Sequence, residues 1–236
     1  MIKVFVINLD KDKDRMASID AQLRRLGVDY ERIAGVYAKE LPKVELQKTV
    51  NRFRWWCAVG RPVVLAEIGC ALSHKKIYGE MRSGEAVCVL EDDVTIDETF
   101  VMKVKDVEMV IDCSRPQVYL LSNHRGRFSG SGIVRHSFGL CTDGYIITKP
   151  AADAILRHNF PMQVPCDHWG RWVGQGALEL YHVLPACVSQ NQERFGTSTQ
   201  ANAEDVSEYP PLKWILHKGK RVIGKSIDKL LLGLGL

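Results

Sequence analysis

The fold is decided by the stretch Val87-Cys88-Val89-Leu90-Glu91-Asp92-Asp93-Val94, in which an apolar run ends in three adjacent carboxylates. The apolar run has the character of a buried strand. Crowded or buried acids are costly unless a metal ion or basic side chains compensate their charge. Open α/β sheets place their ligands at the carboxyl ends of strands. The stretch therefore predicts a core strand leading into a divalent-cation site for a phosphate-bearing substrate, with an acidic solvent loop as the alternative.

The surrounding chain alternates between strand and helix patterns. We predict a buried strand over residues 2–9, a helix over Arg15–Leu26 and a second strand over Val28–Ile33. This β-α-β opening is typical of a Rossmann-like sheet. Further predicted elements are a helix over Leu65–Met81, a helix that opens at Pro150, and strands over 86–90, Val118–Ser122, Gly144–Thr148 and Leu180–Val188. The pattern of residues 37–60 favours either a loop or helical insertion near the site or a solvated helix packed by two tryptophans. The pattern of residues 126–139 predicts a mobile loop or hairpin.

Composition limits the class of protein. The chain has 236 residues, 46% of them hydrophobic and 25% charged, as in an ordinary folded soluble protein. No apolar run is long enough for a transmembrane helix. The N-terminal apolar run is too short, and charged residues follow it too early, for a signal peptide. The seven cysteines are widely spaced, without a C-x-x-C pair, so we expect reduced core cysteines and a cytosolic location.

The carboxylate run offers ligands of one chemical type. Successive strand residues point to opposite faces, so we expect Glu91 and Asp93 on one side and Asp92 on the other. Two carboxylates on one side match a hard cation such as Mg²⁺ or Mn²⁺, which prefers oxygen ligands and retains waters and substrate phosphates.

Two further segments carry titratable side chains. Glu67 and His74 lie near one face of the predicted helix, although a histidine on a helix is often structural. The segment Pro165-Cys166-Asp167-His168-Trp169 supplies a base or metal ligand beside an aromatic surface on which a sugar ring could stack. The alternative for Asp167 is a helix N-cap.

Taken together, these motifs resemble glycosyltransferase family 25, the lipopolysaccharide and lipooligosaccharide transferases. The resemblance covers about residues 2–200. Its motifs, in order, are Phe5-Val6-Ile7-Asn8-Leu9 with Arg15, Glu67-Ile68-Gly69-Cys70-Ala71-Leu72-Ser73-His74, Leu90-Glu91-Asp92-Asp93-Val94, Gly144-Tyr145-Ile146-Ile147-Thr148 and the Asp167 segment.

The resemblance implies an α/β fold of GT-A type, a Rossmann-like nucleotide-sugar-binding domain with a mostly parallel central sheet. It implies Mn²⁺ (or Mg²⁺) and a UDP-sugar donor held by a DxD-type motif, spelled here Glu91-Asp92-Asp93. Asp93 is the firmest metal ligand, with Glu91 beside it. Asn8 and Arg15, with Glu91 and Asp92, match the nucleotide-binding region. A salt bridge in the first helical turn is the alternative role for Arg15.

The resemblance also implies transfer with inversion, for which one base suffices. Asp167 is the leading candidate, and Glu67, His74, His168 and Trp169 are predicted to line the acceptor site. The implied reaction moves a hexose, galactose from UDP-galactose before glucose, onto a lipopolysaccharide or lipooligosaccharide core. A metal-dependent phosphohydrolase or nucleotidyltransferase, and a non-catalytic nucleotide-sugar-binding relative, remain as alternatives.

The C-terminal segment differs from the rest of the chain. We predict a catalytic domain over residues 1–208 and a basic amphipathic segment over 209–236, divided near Pro210-Pro211. This segment carries six Lys or Arg and one Asp, which leaves the first 208 residues close to neutral. Such a segment binds an anionic membrane surface, or else docks as a helix on the core. We expect a peripheral protein on the cytoplasmic face of the bacterial inner membrane, and no nucleic-acid partner because the body lacks a basic face.

Overall fold

The computed structural model describes residues 2–123, 128–191 and 226–233. The chain forms two compact units. Unit 1 comprises the described residues of Met1–Val36, Leu72–His158 and Asp167–Thr197. Unit 2 comprises those of Tyr37–Ala71, Asn159–Cys166 and Ser198–Leu236. The predicted boundary at residue 208 stays a prediction, because it lies outside the described residues.

Nine strands are found in the described residues. They are β1 (Lys3–Asn8), β2 (Tyr30–Ala34), β3 (Ala86–Glu91), β4 (Val94–Ile96), β5 (Gln117–Leu120), β6 (Gly132–His136), β7 (Gly144–Thr148), β8 (Glu179–Leu184) and β9 (Val188–Gln190). Seven of them form one sheet in the order β2-β1-β3-β7-β5-β8-β6, while β4 pairs with β9. In the large sheet β7 and β6 run antiparallel to their neighbours, and the other five strands share one direction. The predicted Rossmann-like α/β fold with a mostly parallel sheet is confirmed.

The helices of the described residues are short to medium in length. They are α1 (Lys13–Arg25), α2 (Lys43–Thr49), α3 (Arg52–Val59), α4 (Leu65–Glu80), α5 (Phe100–Val110), α6 (Lys149–Asn159) and α7 (Trp169–Gly174), with a 3-10 turn at Ala38–Glu40 and a helical stretch over 226–233. None of these helices combines the length and the apolar character needed to cross a membrane.

The central strands of unit 1 are covered on both faces. Val6 of β1 and Leu90 of β3 are fully buried in one apolar cluster. Ile19 and Leu23, four residues apart on α1, belong to the same cluster, so that α1 packs against this face. Strands buried on both faces read as continuous apolar runs, which is why β1, β3 and β7 could be predicted from sequence.

The chain reverses its winding direction at β1, and this places the site. From β1 the chain passes through α1 to β2 on one side, and β3 lies on the other side of β1. Ile7 of β1 stands in register with Glu91 of β3, so both strands end at the same edge. Ligands of open α/β sheets bind at such a reversal point, beyond the carboxyl ends of the strands.

Unit 2 is built from α2, α3, the start of α4 and the segment that follows α6. Trp55 is fully buried and donates its indole N–H to the carbonyl of Arg61 at 2.9 Å. Val50 forms a bridge with Met162. Residues 37–60 therefore form helices with a buried tryptophan. The thiol sulfurs of Cys70 and Cys166 lie 3.3 Å apart, and the structure gives all seven cysteines as reduced.

Several elements were not predicted. β4, α5 and α7 fall in stretches to which the sequence patterns assigned no element. The predicted loop or hairpin over 126–139 contains β6, which pairs with β8, while residues 124–127 lie outside the described part. The predicted last strand is divided into β8 and β9.

Candidate active site

The acidic run forms a turn at the edge of the sheet. β3 ends at Glu91, and Asp92 and Asp93 occupy the turn before β4. Arg15 Nη1 lies 3.4 Å from Asp92 Oδ1 and 3.4 Å from Asp93 Oδ2. The expectation that Asp92 points away from Asp93 is therefore wrong, because strand alternation stops at Glu91 and the turn directs both aspartates towards one guanidinium.

Asn8 and Arg15 hold this turn in place. Asn8, the last residue of β1, donates through Nδ2 to Asp92 Oδ2 at 2.7 Å and to the carbonyl of Asp12 at 3.0 Å. Arg15 stands in the first turn of α1, and its side chain is mostly buried. Arg15 does form salt bridges with Asp92 and Asp93, and these two are not within the first turn of α1. A role for both residues in nucleotide binding stays a prediction.

Glu91 is contacted by Thr142 and His74. The Thr142 hydroxyl donates to Glu91 Oε1, and His74 Nε2 lies 3.4 Å from the same oxygen. His74 Nδ1 lies 2.7 Å from the Tyr145 hydroxyl, which is 2.6 Å from the hydroxyl of Tyr78. The structure thus brings His74 to the site, in contact with a predicted metal ligand.

Asp143 is a site residue that the sequence analysis missed. It lies just before β7, and its carbonyl accepts the backbone N–H of Glu91 at 2.9 Å. Burial, followed by the charges of Glu91, Asp93 and Asp167, raises the pKa of the Asp143 carboxyl. Asp143 lies opposite Glu91 because β7 pairs antiparallel with β3. No sequence pattern reveals this pairing, so the sequence carried no signal for Asp143.

Asp167 is a further acid of this cluster. Its Oδ2 accepts the backbone N–H of Cys141 at 3.3 Å, and its charge acts on Asp143. The N-cap position of α7 is His168, not Asp167, so the capping alternative for Asp167 is wrong. The His168 side chain makes no capping hydrogen bond there. The acids Glu91, Asp93, Asp143 and Asp167 therefore converge on one region of unit 1.

Two predicted acceptor-lining residues have other surroundings. Trp169 is fully buried, donates its indole N–H to the carbonyl of Cys141 at 2.8 Å and packs against Tyr145. Its ring offers no exposed face to a sugar, so its predicted stacking role is wrong. Glu67 belongs to unit 2, where its carboxylate pairs with Arg61 and accepts the backbone N–H of Val64 at 3.0 Å. Both contacts stabilise the start of α4, and neither points to an acceptor role.

The acidic residues fit a hard divalent cation. Asp93 Oδ1 is buried and, within the described part of the chain, has no hydrogen-bond partner. Burial and then the charge of Glu91 raise the pKa of Asp93, and the Arg15 guanidinium opposes this shift. A buried, unpartnered carboxylate oxygen among other carboxylates is the donor set that Mn²⁺ or Mg²⁺ prefers. Asp93 and Glu91 are thus suited to hold the metal.

Two grooves in unit 1 flank the acidic turn. One, of about 960 Å³, runs along the first turns of α1 and is lined by residues that include Lys11, Lys13, Arg15 and Thr95. A smaller one, of about 460 Å³, includes Asn8, Lys13 and Arg32. Both volumes are in the range of small-molecule sites, and both linings mix basic residues with aspartates.

The fold and the site define a Rossmann-like α/β protein with an acidic ligand site at the reversal point of its sheet. The sequence model of the family described as "Glycosyltransferase family 25 (LPS biosynthesis protein)" matches residues 1–169. The chain belongs to this family, and the resemblance of its motifs is confirmed.

Relatives with curated names include proteins of several animals. The chain is 28% identical over 169 residues to a "Glycosyltransferase 25 family member" of Anopheles gambiae, which covers 65% of this chain and 28% of the relative. It is 26% identical over 184 residues to "Procollagen galactosyltransferase 2" of Homo sapiens (71% and 29%). It is 31% identical over 169 residues to "Procollagen galactosyltransferase 1-B" of Xenopus laevis (65% and 28%). The chain thus spans less than a third of the length of these relatives.

Proposed function

We propose that the chain is a metal-dependent glycosyltransferase that moves a hexose from a UDP-sugar to a saccharide acceptor. The observation that carries this proposal is the acidic turn Glu91-Asp92-Asp93 at the reversal point of the sheet, with a buried oxygen on Asp93 that has no hydrogen-bond partner among the described residues. Arg15 and Asn8 brace this turn, and Arg15 also lines a groove along the first turns of α1. Membership of family 25 supports the same reaction class.

Each group has a distinct task in the proposed reaction. A cation held by Asp93 and Glu91 would stabilise the negative charge that develops on the leaving diphosphate. Arg15 adds positive charge at the same edge, while Asn8 fixes the Asp92 side of the turn. Asp167 takes the proton of the acceptor hydroxyl as that oxygen attacks the anomeric carbon. A single base at this position suits transfer with inversion.

Galactose from UDP-galactose is the proposed donor sugar, with glucose next. Relatives of this chain are named procollagen galactosyltransferases, which favours galactose. The proposed acceptor is a lipopolysaccharide or lipooligosaccharide core saccharide, which agrees with the description of the family. The names of the animal relatives make a collagen-type acceptor the natural comparison in any assay.

We place the protein at the cytoplasmic face of the bacterial inner membrane, as a peripheral protein. The support is the basic amphipathic composition of residues 209–236, which suits an anionic lipid surface. Of this segment the structure describes 226–233, which are helical.

A donor and acceptor screen tests the proposed function. UDP-galactose and UDP-glucose are offered with a truncated lipooligosaccharide or with a procollagen peptide, in Mn²⁺, in Mg²⁺ and in chelator. NMR of the product gives the linkage and the anomeric configuration. We expect a galactosylated lipooligosaccharide of inverted configuration in Mn²⁺ and none in chelator. Hydrolysis of the donor without transfer, or equal transfer in chelator, would contradict the proposal.

A further inference from the structure

Three buried side chains form a series of contacts that ends at Glu91. Tyr78 and His74 lie on α4 and Tyr145 on β7, and all three are at most 2% exposed. The Tyr78 and Tyr145 hydroxyls are 2.6 Å apart, the Tyr145 hydroxyl is 2.7 Å from His74 Nδ1, and His74 Nε2 is 3.4 Å from Glu91 Oε1. We call this line, from Tyr78 through Tyr145 to His74, the tyrosine–histidine relay. It connects the interior of unit 1 to the acidic turn.

The relay has a single direction of donation when His74 carries one proton and Glu91 is ionised. An ionised carboxylate can only accept, so His74 Nε2 must carry the proton and donate it to Glu91. Nδ1 is then an acceptor and takes the hydroxyl proton of Tyr145. The Tyr145 oxygen, having used its donor, accepts from the hydroxyl of Tyr78. Each contact in the relay is satisfied by this one arrangement.

Two donors contact the same carboxylate oxygen of Glu91, and the relay supplies one of them. Both donors contact Glu91 Oε1: the Thr142 hydroxyl from the segment just before β7, and His74 Nε2 from α4. Two donors from separate elements fix the rotation of the carboxylate about its last bond. This matters because the charge of Glu91 acts on the carboxyl groups of Asp93 and Asp143, and an unrestrained Glu91 would turn away from either of them when it is ionised.

We propose that Tyr145 and Tyr78 act through His74 as positioning residues, which hold Glu91 in the orientation needed for a divalent cation. The proposal rests on the proposed function for the identity of that ligand. It gives the buried histidine of the Glu67–His74 segment a defined task, and it adds two buried tyrosines to the set of residues that shape the site. Groups that orient metal ligands in this way typically contribute about 10–100-fold to metal affinity.

The first test measures metal affinity. Mn²⁺ is titrated calorimetrically into the protein in the presence of UDP. We expect Tyr145→Phe, which removes the hydroxyl and keeps the ring, to weaken Mn²⁺ binding about 10–100-fold. His74→Gln, which retains a side-chain N–H donor near the Nε2 position, should bind Mn²⁺ more tightly than His74→Ala. Equal affinity in the wild type and in Tyr145→Phe would overturn the positioning role.

Tyr119→Phe is the matched control. Tyr119 is a buried tyrosine of β5 whose hydroxyl donates to Gln117 at 3.0 Å, apart from the acidic turn. We expect this variant to keep wild-type Mn²⁺ affinity. If Tyr119→Phe weakened Mn²⁺ binding as much as Tyr145→Phe, the effect would reflect a general loss of packing, and the relay would be rejected.

The second test needs neither metal nor activity. In protein labelled with ¹⁵N-histidine, the resonance of His74 is identified among the seven histidines by its loss in His74→Gln. We expect the tautomer protonated at Nε2, and a shift of the Nδ1 resonance in Tyr145→Phe as its hydrogen bond is lost. A ring protonated at Nδ1, alone or together with Nε2, would overturn the relay. Failure of the wild type to bind Mn²⁺ and UDP would instead overturn the proposed function, so the two failures are distinguishable.

Discussion

At the scale of single residues, the site concentrates negative charge that the protein itself offsets in part. Glu91, Asp93, Asp143 and Asp167 act on one another, and Arg15 pairs with the aspartates of the turn. An arrangement of this kind costs folding free energy unless a ligand supplies further positive charge. The cation is therefore expected to stabilise the fold as well as to serve the reaction.

Asp93→Asn tests whether the charge of the acidic turn binds the cation. The substitution keeps the shape of the side chain and removes the charge that would bind the cation. We expect Mn²⁺ affinity and Mn²⁺-dependent transfer to fall together, by on the order of 100-fold. Glu98→Gln removes an exposed acid and should change neither quantity. Wild-type transfer by Asp93→Asn in chelator would disprove the metal site.

Asp143 gives the apoprotein a defined pH dependence. Because burial raises its pKa, the folded state binds the proton more tightly than the unfolded chain does. Stability is then greatest at low pH and falls as pH rises above the ordinary aspartate value of about 4 towards the raised one. Asn stays neutral throughout, so Asp143→Asn should gain stability over the wild type between pH 5 and pH 8, by on the order of 1–3 kcal/mol.

Denaturant unfolding in chelator at several pH values measures this dependence. Asp29→Asn, at an exposed position, is the matched control and should follow the wild-type curve. Parallel curves for the wild type and Asp143→Asn would show that Asp143 titrates normally. Saturating Mn²⁺ should reduce the difference between them, because the cation offsets the same charges.

Asp167→Asn separates proton transfer from donor binding. Asn keeps a side-chain oxygen that can accept the Cys141 N–H, so the local structure should persist. We expect kcat to fall about 100- to 10,000-fold with little change in the affinity for UDP and Mn²⁺. Transfer kinetics and calorimetry on the same preparation measure both quantities. A loss of UDP affinity with kcat retained would assign Asp167 to the donor site instead.

The sequence could predict the residues whose position follows from a strand end. Asn8 and the acidic turn follow buried apolar runs, and parallel strands bring their carboxyl ends together. Thr142, Asp143 and Tyr145 reach the site because β7 pairs antiparallel with β3, and that register is a tertiary fact. Trp169 shows the converse, because an aromatic residue beside an acid looks like a sugar platform until its burial is known.

At the scale of elements, the packing of β7 requires a residue without a side chain at Gly144. A Cβ on Gly144 would lie 2.9 Å from Val188 Cγ1 and 3.1 Å from Leu90 Cδ2. Gly144→Ala should therefore destabilise the protein by about 1–3 kcal/mol, as overpacked cores do. Gly79→Ala, on the exposed side of α4 with no atom near the new methyl group, should stabilise it by about 0.5–1 kcal/mol. Thermal unfolding compares the two, and a neutral Gly144→Ala would contradict the packing of β7 against Val188.

The elements missed from sequence share a mixed pattern. α5 buries Phe100, Val104 and Val107 at helical spacing, but it also buries Lys103, which donates to the Leu184 carbonyl at 2.8 Å. A lysine within the apolar face and exposed methionines on the other face obscure the helical period. α1 and β3 have no such conflict, and sequence located both within a few residues.

At the scale of the whole molecule, the division into units could not be predicted. Unit 2 combines Tyr37–Ala71 with Asn159–Cys166, segments separated by most of unit 1 in the chain. Periodicity reports local structure, whereas such an arrangement depends on contacts between distant segments, such as the Val50–Met162 bridge. The alternation of strands and helices therefore indicated one continuous α/β domain.

The C-terminal segment leads to a prediction about the whole molecule and its surroundings. Basic residues near an anionic bilayer contribute about 1 kcal/mol each, and salt screens this attraction. We expect the full chain to sediment with phosphatidylglycerol-containing vesicles at low salt, and to be released by high salt or by neutral vesicles. Replacing Lys218, Lys220 and Arg221 with Glu should weaken this binding on the order of 100-fold or more. Transfer to a soluble oligosaccharide should be unchanged in that variant, since the role proposed for this segment is membrane contact alone. If the variant sedimented like the wild type, or lost transfer to the soluble acceptor as well, the segment would be part of the folded core and not a membrane contact.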